Sequence, residues 1–265
     1  MSLSVSGKPC YVASEQKLAG AQTFWHARLM IRRRDRRRQE TVHDIKDTAR
    51  SQLAGAGPAG ISMRAIARDL AMTASAVHYY FPSRQALLDA LIVDGFTSLA
   101  QVLRATYEGA GPRPPSEQWL AVCRAHRAWA LDHQAEYLLL YGHDGASAVK
   151  QGNRQVDQAY SSAVNVLFSI MRGAVAAGEI DTERIEAGTP ASLRGQFATW
   201  RDEIDESGGL PDGALAACMI TYAQLHGAIT LELVGHVPPA LADRSALFDL
   251  EMVHAYAALC RQPFT

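Results

Sequence analysis

The side chains best suited to chemistry in this chain lie in residues 62–84, where hydroxyl, imidazole, phenol and guanidinium groups recur within a short apolar pattern. Residues 73–84 alone read Thr-Ala-Ser-Ala-Val-His-Tyr-Tyr-Phe-Pro-Ser-Arg. Such groups hydrogen-bond to phosphate oxygens and to base edges, and a helix that carries them fits the major groove of DNA. The segment therefore predicts a helix-turn-helix motif whose second helix reads DNA.

Two short helices account for this motif. Ser62 and Thr73 are residue types that favour the N-cap position, and each precedes apolar residues at helical spacing. Pro82 ends the second helix. Helices of about eight residues are not stable alone, so a third helix must support them. We expect that helix over residues 36–53, with the apolar stripe Val42, Ile45, Ala49 and Leu53.

Residues 38–92 resemble the DNA-binding domain of the tetracycline-repressor (TetR) family. The resemblance is carried by Ile45, Ala49, Gly57 and the residues of 62–67, 77–84 and 86–88. It implies phosphate contacts by Thr73, Tyr80 and Arg84. It also implies that the bases are faced by Ser75, Ala76, His78 and Tyr79. We expect Ser62 and Arg64 to complete the DNA contacts.

The turn between the two short helices departs from the family pattern at Ala71, where members usually have glycine. If this position is left-handed, a residue with a Cβ atom costs on the order of 1 kcal/mol there. We therefore expect the turn to be slightly reshaped.

Charge is unevenly distributed along the chain. Residues 1–107 carry 15 Lys and Arg against 8 Asp and Glu, a net charge of +7, while the remainder carries −8 and the whole chain −1. This asymmetry suits a protein that touches nucleic acid at one end, although chance clustering would give the same numbers.

The densest basic run spans residues 32–38. Residues 1–34, which overlap its start, show no sustained helical or strand periodicity. We expect that segment to be a disordered basic arm that follows phosphates or enters the minor groove. The alternatives are a solvated charge run, a weak helix over residues 18–30, and a native start at Met30.

The rest of the chain predicts an all-α fold, because no alternating strand pattern appears and breaks rich in glycine and proline separate apolar helical segments. We expect nine or ten helices in all. They would form a helix-turn-helix DNA-binding domain over residues 35–82 and a larger helical domain over residues 83–265. The resemblance implies that this second domain binds an effector and dimerises.

Composition argues against several other classes of protein. The four cysteines are far apart and form no CxxC pair, and no metal-binding or phosphate-loop motif is present. No signal-peptide pattern opens the chain, and no apolar run reaches the length of about 18 residues that a membrane span needs. We therefore expect a cytoplasmic protein without a metal, a cofactor or a membrane partner.

The C-terminal part is rich in aromatic and histidine side chains that could line a mostly apolar cavity with a few polar groups, as small-molecule sites do. The candidates are Trp119, His126, Trp129, Tyr137, Tyr141, Phe168, Tyr222 and His226. The alternative is that each aromatic is a core residue and each histidine a satisfied core or surface residue.

The resemblance also implies that the last two long helices, over residues 212–235 and 244–261, pair with their copies in a second subunit. The expected interface consists of Ala216, Ile220, Ala223, Gly227, Phe248, Met252 and Tyr256. The alternative is an intramolecular core. The triplet Leu-His-Gly at 225–227 resembles the Trp-His-Gly signature of one subgroup of the family.

Together these features predict a homodimeric transcriptional regulator that acts as a repressor and that a small-molecule effector releases from a palindromic operator in double-stranded DNA. It would not be an enzyme. Two alternatives remain: a DNA-organising protein without an effector, which would bind unrelated DNA almost equally well, and an all-α enzyme that uses the C-terminal cavity.

Overall fold

The structure is a computed structural model that describes residues 12–109, 111, 113–150, 152–203 and 209–261. In this part of the chain it has twelve α-helices and no strand apart from one isolated antiparallel bridge between Ile180 and Cys260. The helices are α1 Val12–Ala56, α2 Met63–Asp69, α3 Ala74–Tyr80, α4 Arg84–Gly109, α5 Pro115–Asp132, α6 Gln134–Tyr141, α7 His143–Lys150, α8 Arg154–Ala176, α9 Thr182–Gly188, α10 Ala191–Glu203, α11 Asp212–Leu233 and α12 Arg244–Ala257. The predicted all-α fold is confirmed.

The helix count exceeds the expected nine or ten because short helices form where the sequence suggested loops or one longer helix. Gly152, at φ 66°, separates α7 from α8, and the side chain of Asn153 then caps α8 by accepting from the backbone N–H of Gln155. Asp181 likewise caps α9 by accepting from the N–H of Arg184. Local capping chemistry therefore creates helix starts that apolar periodicity does not reveal.

The first helix begins well before the expected residue 36. It runs without a break from Val12, so residues 12–34 are helical where we expected a disordered arm with a weak helix as the alternative. These residues are mostly good helix formers and contain no proline. Residues 1–11 lie outside the described residues.

The chain divides into two compact units, which are described separately. The first takes in the described residues up to Ser51 together with residues 62–82. Its core consists of Ile45 and Ala49 from α1, Ile66 and Ala67 from α2, and Val77 from α3, all buried. Both predicted N-caps are confirmed: the side chain of Ser62 accepts from the N–H of Ala65, and that of Thr73 from the N–H of Ala76.

The turn between α2 and α3 is closed by a Schellman motif. The N–H of Met72 donates to the carbonyl of Ala67 at 2.8 Å, and the N–H of Ala71 donates to that of Arg68 at 3.1 Å. This motif requires a left-handed residue, which is usually glycine. Ala71 takes that conformation, with φ 52°, and is the one non-glycine residue of the described chain with positive φ.

The second unit contains residues 52–61 and the described residues from 83 onward. A long buried face lies on α4, which packs against α5, α6 and α8. α4 comes closest to α6 at Gly95, where an added methyl group would lie 3.1 Å from Cδ2 of Leu140. The absence of a side chain at Gly95 therefore sets the distance between these helices.

Two ion pairs fix α5 to the last two helices. Arg127 donates two hydrogen bonds of 2.6 Å to Glu232 of α11, and both side chains are only 15% exposed. Arg124 donates two more, of 2.8 and 2.7 Å, to Asp249 of α12 near the surface. The bidentate geometry fixes the orientation of α5 as well as its position, because a guanidinium and a carboxylate pair in one plane.

Helices α4 and α11 are long and apolar enough to meet a length-and-composition test for a membrane span. Core helices of soluble proteins meet the same test, and about half of each apolar window is buried here, 50% for α4 and 44% for α11.

We predict that Ala71→Gly stabilises the first unit by about 1 kcal/mol, because glycine adopts positive φ without a Cβ clash. Urea unfolding followed by circular dichroism measures this change. The matched control is Ala65→Gly within α2, where added backbone freedom should destabilise by about 0.5–1 kcal/mol. A loss of stability in Ala71→Gly would contradict the prediction.

Candidate DNA interface and buried aromatic cluster

The second helix of the motif, α3, presents most of the predicted DNA-contacting side chains to solvent. Thr73, Ser75, His78 and Tyr79 are exposed, Tyr79 by 63%, while Ala76 and Tyr80 are half-buried. Arg64 and Ser62 of the neighbouring helix are also exposed. Only Val77 points into the core. The geometry thus leaves one face of α3 available to a partner.

Tyr79 is held in place from two sides. Its ring meets that of Tyr80 edge-on, with centroids 5.3 Å apart and planes at 86°. The guanidinium carbon of Arg38 lies 5.6 Å from the Tyr79 centroid and 6.0 Å from that of Tyr80, within the range of cation–π attraction. Sequence analysis placed Arg38 only in a basic run; nothing in the sequence indicated that it reaches these two rings.

The hydroxyl and imidazole groups of the motif retain hydrogen-bonding capacity. The caps use Ser62 and Thr73 as hydrogen-bond acceptors. The hydroxyl oxygen of Thr73 also lies 3.0 Å from that of Ser75, where either hydroxyl can be the donor. Nδ1 of His78 is 3.3 Å from the carbonyl oxygen of Pro82. When Nδ1 carries the proton it donates to that carbonyl, and Nε2 is the acceptor.

Arg84 does not fit its predicted role as a phosphate contact. Its Nε donates to the carbonyl of Ile61 at 3.2 Å, and one terminal nitrogen donates to the carbonyl of Pro58. These carbonyls lie at the two ends of the 3-10 helix Pro58–Gly60, and that of Pro58 also accepts from the backbone N–H of Ile61 at 3.2 Å. We therefore correct the assignment: Arg84 holds this loop.

Five of the eight predicted pocket residues come together in the second unit: His126, Tyr137, Tyr141, Tyr222 and His226, here called the tyrosine–histidine cluster. The ring of His226 lies at its centre, with centroid distances of 4.1 Å to Tyr141, 4.3 Å to Tyr222 and 5.0 Å to His126. Helices α5, α6 and α11 supply these side chains.

The polar atoms of the cluster are unequally satisfied. The hydroxyl of Tyr137 lies 2.9 Å from Nδ1 of His226 and 3.3 Å from the Thr230 hydroxyl. By contrast, both ring nitrogens of His126 and Nε2 of His226 are buried and have no hydrogen-bond partner among the described residues. A buried polar atom of this kind in a native protein calls for an explanation.

Burial keeps every member of the cluster neutral. It lowers the pKa of His126 well below its ordinary value, with a smaller contribution from His226, and it lowers the pKa of His226 to about 3. Burial also raises the pKa of Tyr137 to about 12 and that of Tyr141 well above its usual range. The cluster therefore offers hydrogen bonds without formal charge.

A small cavity of about 50 Å³ adjoins the cluster at Tyr222. It is lined by Tyr160, Val164, Leu167, Phe168, Trp200, Cys218, Met219 and Tyr222. Phe168, a predicted pocket residue, lies here, 6.0 Å from the ring of Trp200. Tyr160 and Cys218 were not among the predicted pocket residues, since helical periodicity marks them only as apolar.

The two remaining predicted pocket residues, Trp119 and Trp129, are core residues. The indole N–H of Trp119 donates to the carbonyl of Met252 at 2.9 Å, and that of Trp129 donates to the Ser98 hydroxyl at 3.0 Å. Trp129 also stacks on His133 at 4.9 Å. Because both indoles are satisfied within the chain, we correct their assignment to the pocket.

Four of the predicted interface residues are buried within the single chain. Phe248, Met252 and Tyr256 are 3%, 0% and 1% exposed, and Ala216 is buried as well. The Tyr256 hydroxyl donates to Oε2 of Glu179 at 2.6 Å, so this side of α12 faces the chain's own core. We therefore correct these four assignments. The other three, Ile220, Ala223 and Gly227, are exposed on α11.

The described residues contain no group of three or more His, Cys, Asp or Glu side chains that could hold a metal ion. Of the three cysteines that the structure describes, Cys123 and Cys218 are buried, and burial raises the pKa of both thiols, that of Cys218 to about 12.

A capped helix-turn-helix with an exposed second helix, followed by a helical domain with a buried polar cluster, defines the class of helix-turn-helix transcriptional regulators. Residues 45–91 match the family model for bacterial regulatory proteins of the tetR family, and residues 119–255 match that for the tetracyclin repressor-like C-terminal domain. The chain belongs to the TetR family and is a DNA-binding transcriptional regulator. The Trp-His-Gly subgroup stays a prediction.

Relatives and solved structures agree with this. The chain is 33% identical over 221 residues to the HTH-type transcriptional regulator Rv1816 of Mycobacterium tuberculosis, a match that covers 83% of this chain and 92% of that protein. The solved structure of SCO4313, named as a regulatory protein, is 26% identical, with a TM-score of 0.64, and the match covers 83% of this chain and 97% of that one. A protein of unknown function from Rhodococcus sp. RHA1 has the same fold, at 24% identity, TM-score 0.62, and 83% and 95% coverage.

We predict that the histidines of the cluster make the protein sensitive to mild acid. Since the folded state holds the pKa of His126 and His226 below the ordinary value near 6.5, the unfolded state alone binds protons as the pH falls through that value. Their contribution to stability is complete above about pH 6.5 and declines below it, by up to about 1.4 kcal/mol per pH unit for each histidine.

Urea unfolding at pH 7 and pH 5 measures this effect, with His126→Phe as the comparison. The variant should lose less stability than the wild type between the two pH values, because one proton-binding group is gone from the unfolded state. Equal losses in the two proteins would show that His126 is not held neutral.

Proposed function

We propose that this regulator is a repressor that binds a palindromic operator as a homodimer in the cytoplasm and leaves it when a small molecule binds the second unit. Residues 35–82 would contact DNA, with residues 1–34 as a basic arm, and residues 83–265 would bind the effector and dimerise. The exposed face of α3 carries the proposal. It carries three groups that can form hydrogen bonds with base edges, on Ser75, His78 and Tyr79, and the ring of Tyr79 packs edge-on against that of Tyr80.

A fixed Tyr79 supports reading of bases better than a mobile one would. Holding the ring between Tyr80 and Arg38 before DNA arrives reduces the conformational entropy that is lost on binding. Arg38 can also approach a phosphate from this position, because among the described residues its guanidinium contacts the faces of the two rings and no carboxylate. Phosphate contacts by Thr73, Arg38 and Arg64 would set the register of α3 in the groove.

A regulatory role suits the cluster better than a catalytic one. A general base needs a second group that orients its ring and sets its tautomer. His126 has no such partner among the described residues, and its low pKa leaves it a weak base. We therefore propose that the protein is not an enzyme.

We predict that Tyr79→Ala weakens binding to the specific operator by about 1–3 kcal/mol if the phenol reaches a base edge. The operator is first selected from a random DNA library with the wild-type protein, and affinities are then measured by fluorescence anisotropy at a stated salt concentration. The matched control is Tyr107→Ala, the same change in α4, which should bind like the wild type.

Two results would contradict this part of the proposal. Equal operator affinity for the wild type and Tyr79→Ala would remove Tyr79 from the base-reading residues. Wild-type protein that binds the selected operator no better than unrelated DNA would favour the DNA-organising alternative, because sequence-specific regulators prefer their sites by about a thousandfold or more.

Dimerisation follows from the geometry of a palindrome. Two half-sites about 34 Å apart need two recognition helices, and each chain supplies one. The apolar residues exposed on the last two helices could provide the contact. α11 exposes Ile220, Ala223, Gly227 and Leu231 along one face, and α12 exposes Leu250 and Val253. The small residues at 223 and 227 would let a second helix approach closely.

We predict that Leu250→Glu dissociates the dimer without unfolding the chain. Leu250 is 55% exposed, so the charge costs little in the monomer, whereas at a two-fold contact it would be desolvated close to its own copy. The dimer dissociation constant should rise by about a hundredfold or more. Light scattering at micromolar concentration measures association, and circular dichroism checks folding.

The matched control is Leu241→Glu, a change at a leucine of similar exposure, 47%, in the loop between α11 and α12. This variant should remain a dimer. A folded Leu250→Glu protein that still associates like the wild type would place the contact elsewhere. Tyr256→Glu would not serve, because that side chain lies in the core of the chain itself.

A further inference from the structure

The most deeply buried histidine of the second unit lacks hydrogen bonds. His126 is 2% exposed, and neither of its ring nitrogens has a partner within the described chain. Nε2 of the neighbouring His226 is also buried without one. An unpaired buried polar atom is unfavourable, because it has lost its hydrogen bonds to water without gaining others. A ligand that pairs with these atoms would therefore gain hydrogen bonds that the protein does not make for itself.

These atoms lie behind one wall of a small cavity. The cavity beside Trp200 is bounded by Tyr222, whose ring centroid is 4.3 Å from that of His226. His226 in turn lies 5.0 Å from His126. The rings of Tyr222 and His226 therefore separate the cavity from His126, and a ligand that enters from the cavity reaches His126 only when the Tyr222 side chain moves. Met219 at the cavity rim is 42% exposed, so the cavity reaches the surface.

We propose that the cavity beside Trp200, together with His226 and His126 behind Tyr222, binds a small neutral aromatic molecule that carries a hydroxyl or carbonyl oxygen. The ring of this molecule would lie against Tyr222 and Trp200, and its oxygen would form a hydrogen bond with His126. The proposal rests on the proposed function, in which the same unit binds the effector, and it names the chemical class of that effector.

The electrostatics of the site favour a ligand without charge. Within the cluster, the pKa shifts arise from burial, from neighbouring tyrosines and histidines and, for Tyr137, from the Thr230 hydroxyl; no Lys, Arg, Asp or Glu contributes to them. At the cavity, Arg172 partly offsets the effect of burial on the pKa of the Cys218 thiol. A charged group beside His126 would therefore lose its hydration without gaining a counter-charge, which is strongly unfavourable.

The donor and acceptor pattern favours an oxygen on the ligand. A neutral imidazole has one N–H donor and one acceptor nitrogen. A hydroxyl group can satisfy either, and a carbonyl can accept from the donor. The hydroxyl of Tyr137 is already engaged with His226 and Thr230, which leaves the two ring nitrogens of His126 and Nε2 of His226 as the cluster atoms in need of a partner among the described residues.

The walls favour an aromatic ring. Tyr222, Tyr160, Phe168 and Trp200 surround the cavity, and aromatic pairs prefer offset-stacked or edge-to-face arrangements that a planar ligand can join. The present space of about 50 Å³ is smaller than such a molecule. Side chains at the rim must therefore move when it enters, and Trp200, which is half-exposed on α10, is the largest of them.

Three probes with the same ring system test the proposal. 1-Naphthol carries a hydroxyl group, naphthalene carries no polar group, and 1-naphthoate carries a negative charge. Isothermal titration calorimetry with the full-length protein, without DNA, measures their dissociation constants at pH 7.5. 1-Naphthol should bind about tenfold more tightly than either of the others, because one buried hydrogen bond is worth about that factor.

Two variants connect the preference to His126. His126→Phe should reduce the advantage of 1-naphthol over naphthalene to about twofold or less, and His126→Gln, which keeps a donor and an acceptor, should retain most of it. Circular dichroism confirms that both variants are folded.

The proposal is overturned if 1-naphthol does not bind, if 1-naphthoate binds as tightly as 1-naphthol, or if His126→Phe keeps the wild-type preference. Because no DNA is present, these failures leave the role of Tyr79 in operator binding untouched. If 1-naphthol binds but the affinity for the operator does not change, the proposed release by an effector is contradicted. The proposed chemical class of the ligand would still stand.

Discussion

Helices α2 and α3 have seven residues each, and a helix of that length gains too little from its own hydrogen bonds to persist in water. Their existence depends on burial against α1, through Ile45, Ile66 and Val77, and on caps at both starts. The surface that we propose contacts DNA is the reverse side of this small core. Anything that loosens the core therefore moves Tyr79 and His78 at the same time.

The second unit shows two ways of placing polar groups in an apolar interior. Arg127 and Glu232 are almost buried but satisfy each other with two short hydrogen bonds, and so direct helix packing. His126 lies just one position earlier on the same helix, is more deeply buried, and has no partner within the described residues. The contrast sets His126 apart from the groups that only hold the fold together.

Local chemistry made much of the first unit predictable from sequence. Ser62 and Thr73 act on backbone atoms within a few residues, so their roles as caps can be inferred from residue type. The left-handed turn at Ala71 was indicated only by the glycine that family members usually have there, because alanine itself does not favour positive φ. Arg84 misled for the opposite reason: its partners, Ile61 and Pro58, lie 23 and 26 residues away in the sequence. A basic side chain next to a DNA-binding motif suggests a phosphate until that distant partner is known.

The second unit was less predictable, because its interactions connect distant segments. The composition of the aromatic cluster followed from residue types, but not which members meet. Trp119 finds its partner 133 residues away, at Met252. Helix α12 has two apolar faces, and periodicity cannot tell which of them its own chain covers; the structure buries Met252 and leaves Leu250 exposed.

Gly95 has a mechanical consequence for these helices. With only a hydrogen atom at this position, α4 already lies at the limit of approach to Leu140, so α6 cannot yield in that direction. Protein interiors are nearly incompressible. Extra volume introduced beside Tyr137 or Tyr141 therefore cannot be absorbed locally and must appear as displacement of whole helices. Arg84, in the first turn of α4, donates hydrogen bonds to the carbonyls of Pro58 and Ile61. A displacement of α4 as a whole would therefore also move the loop that follows α1.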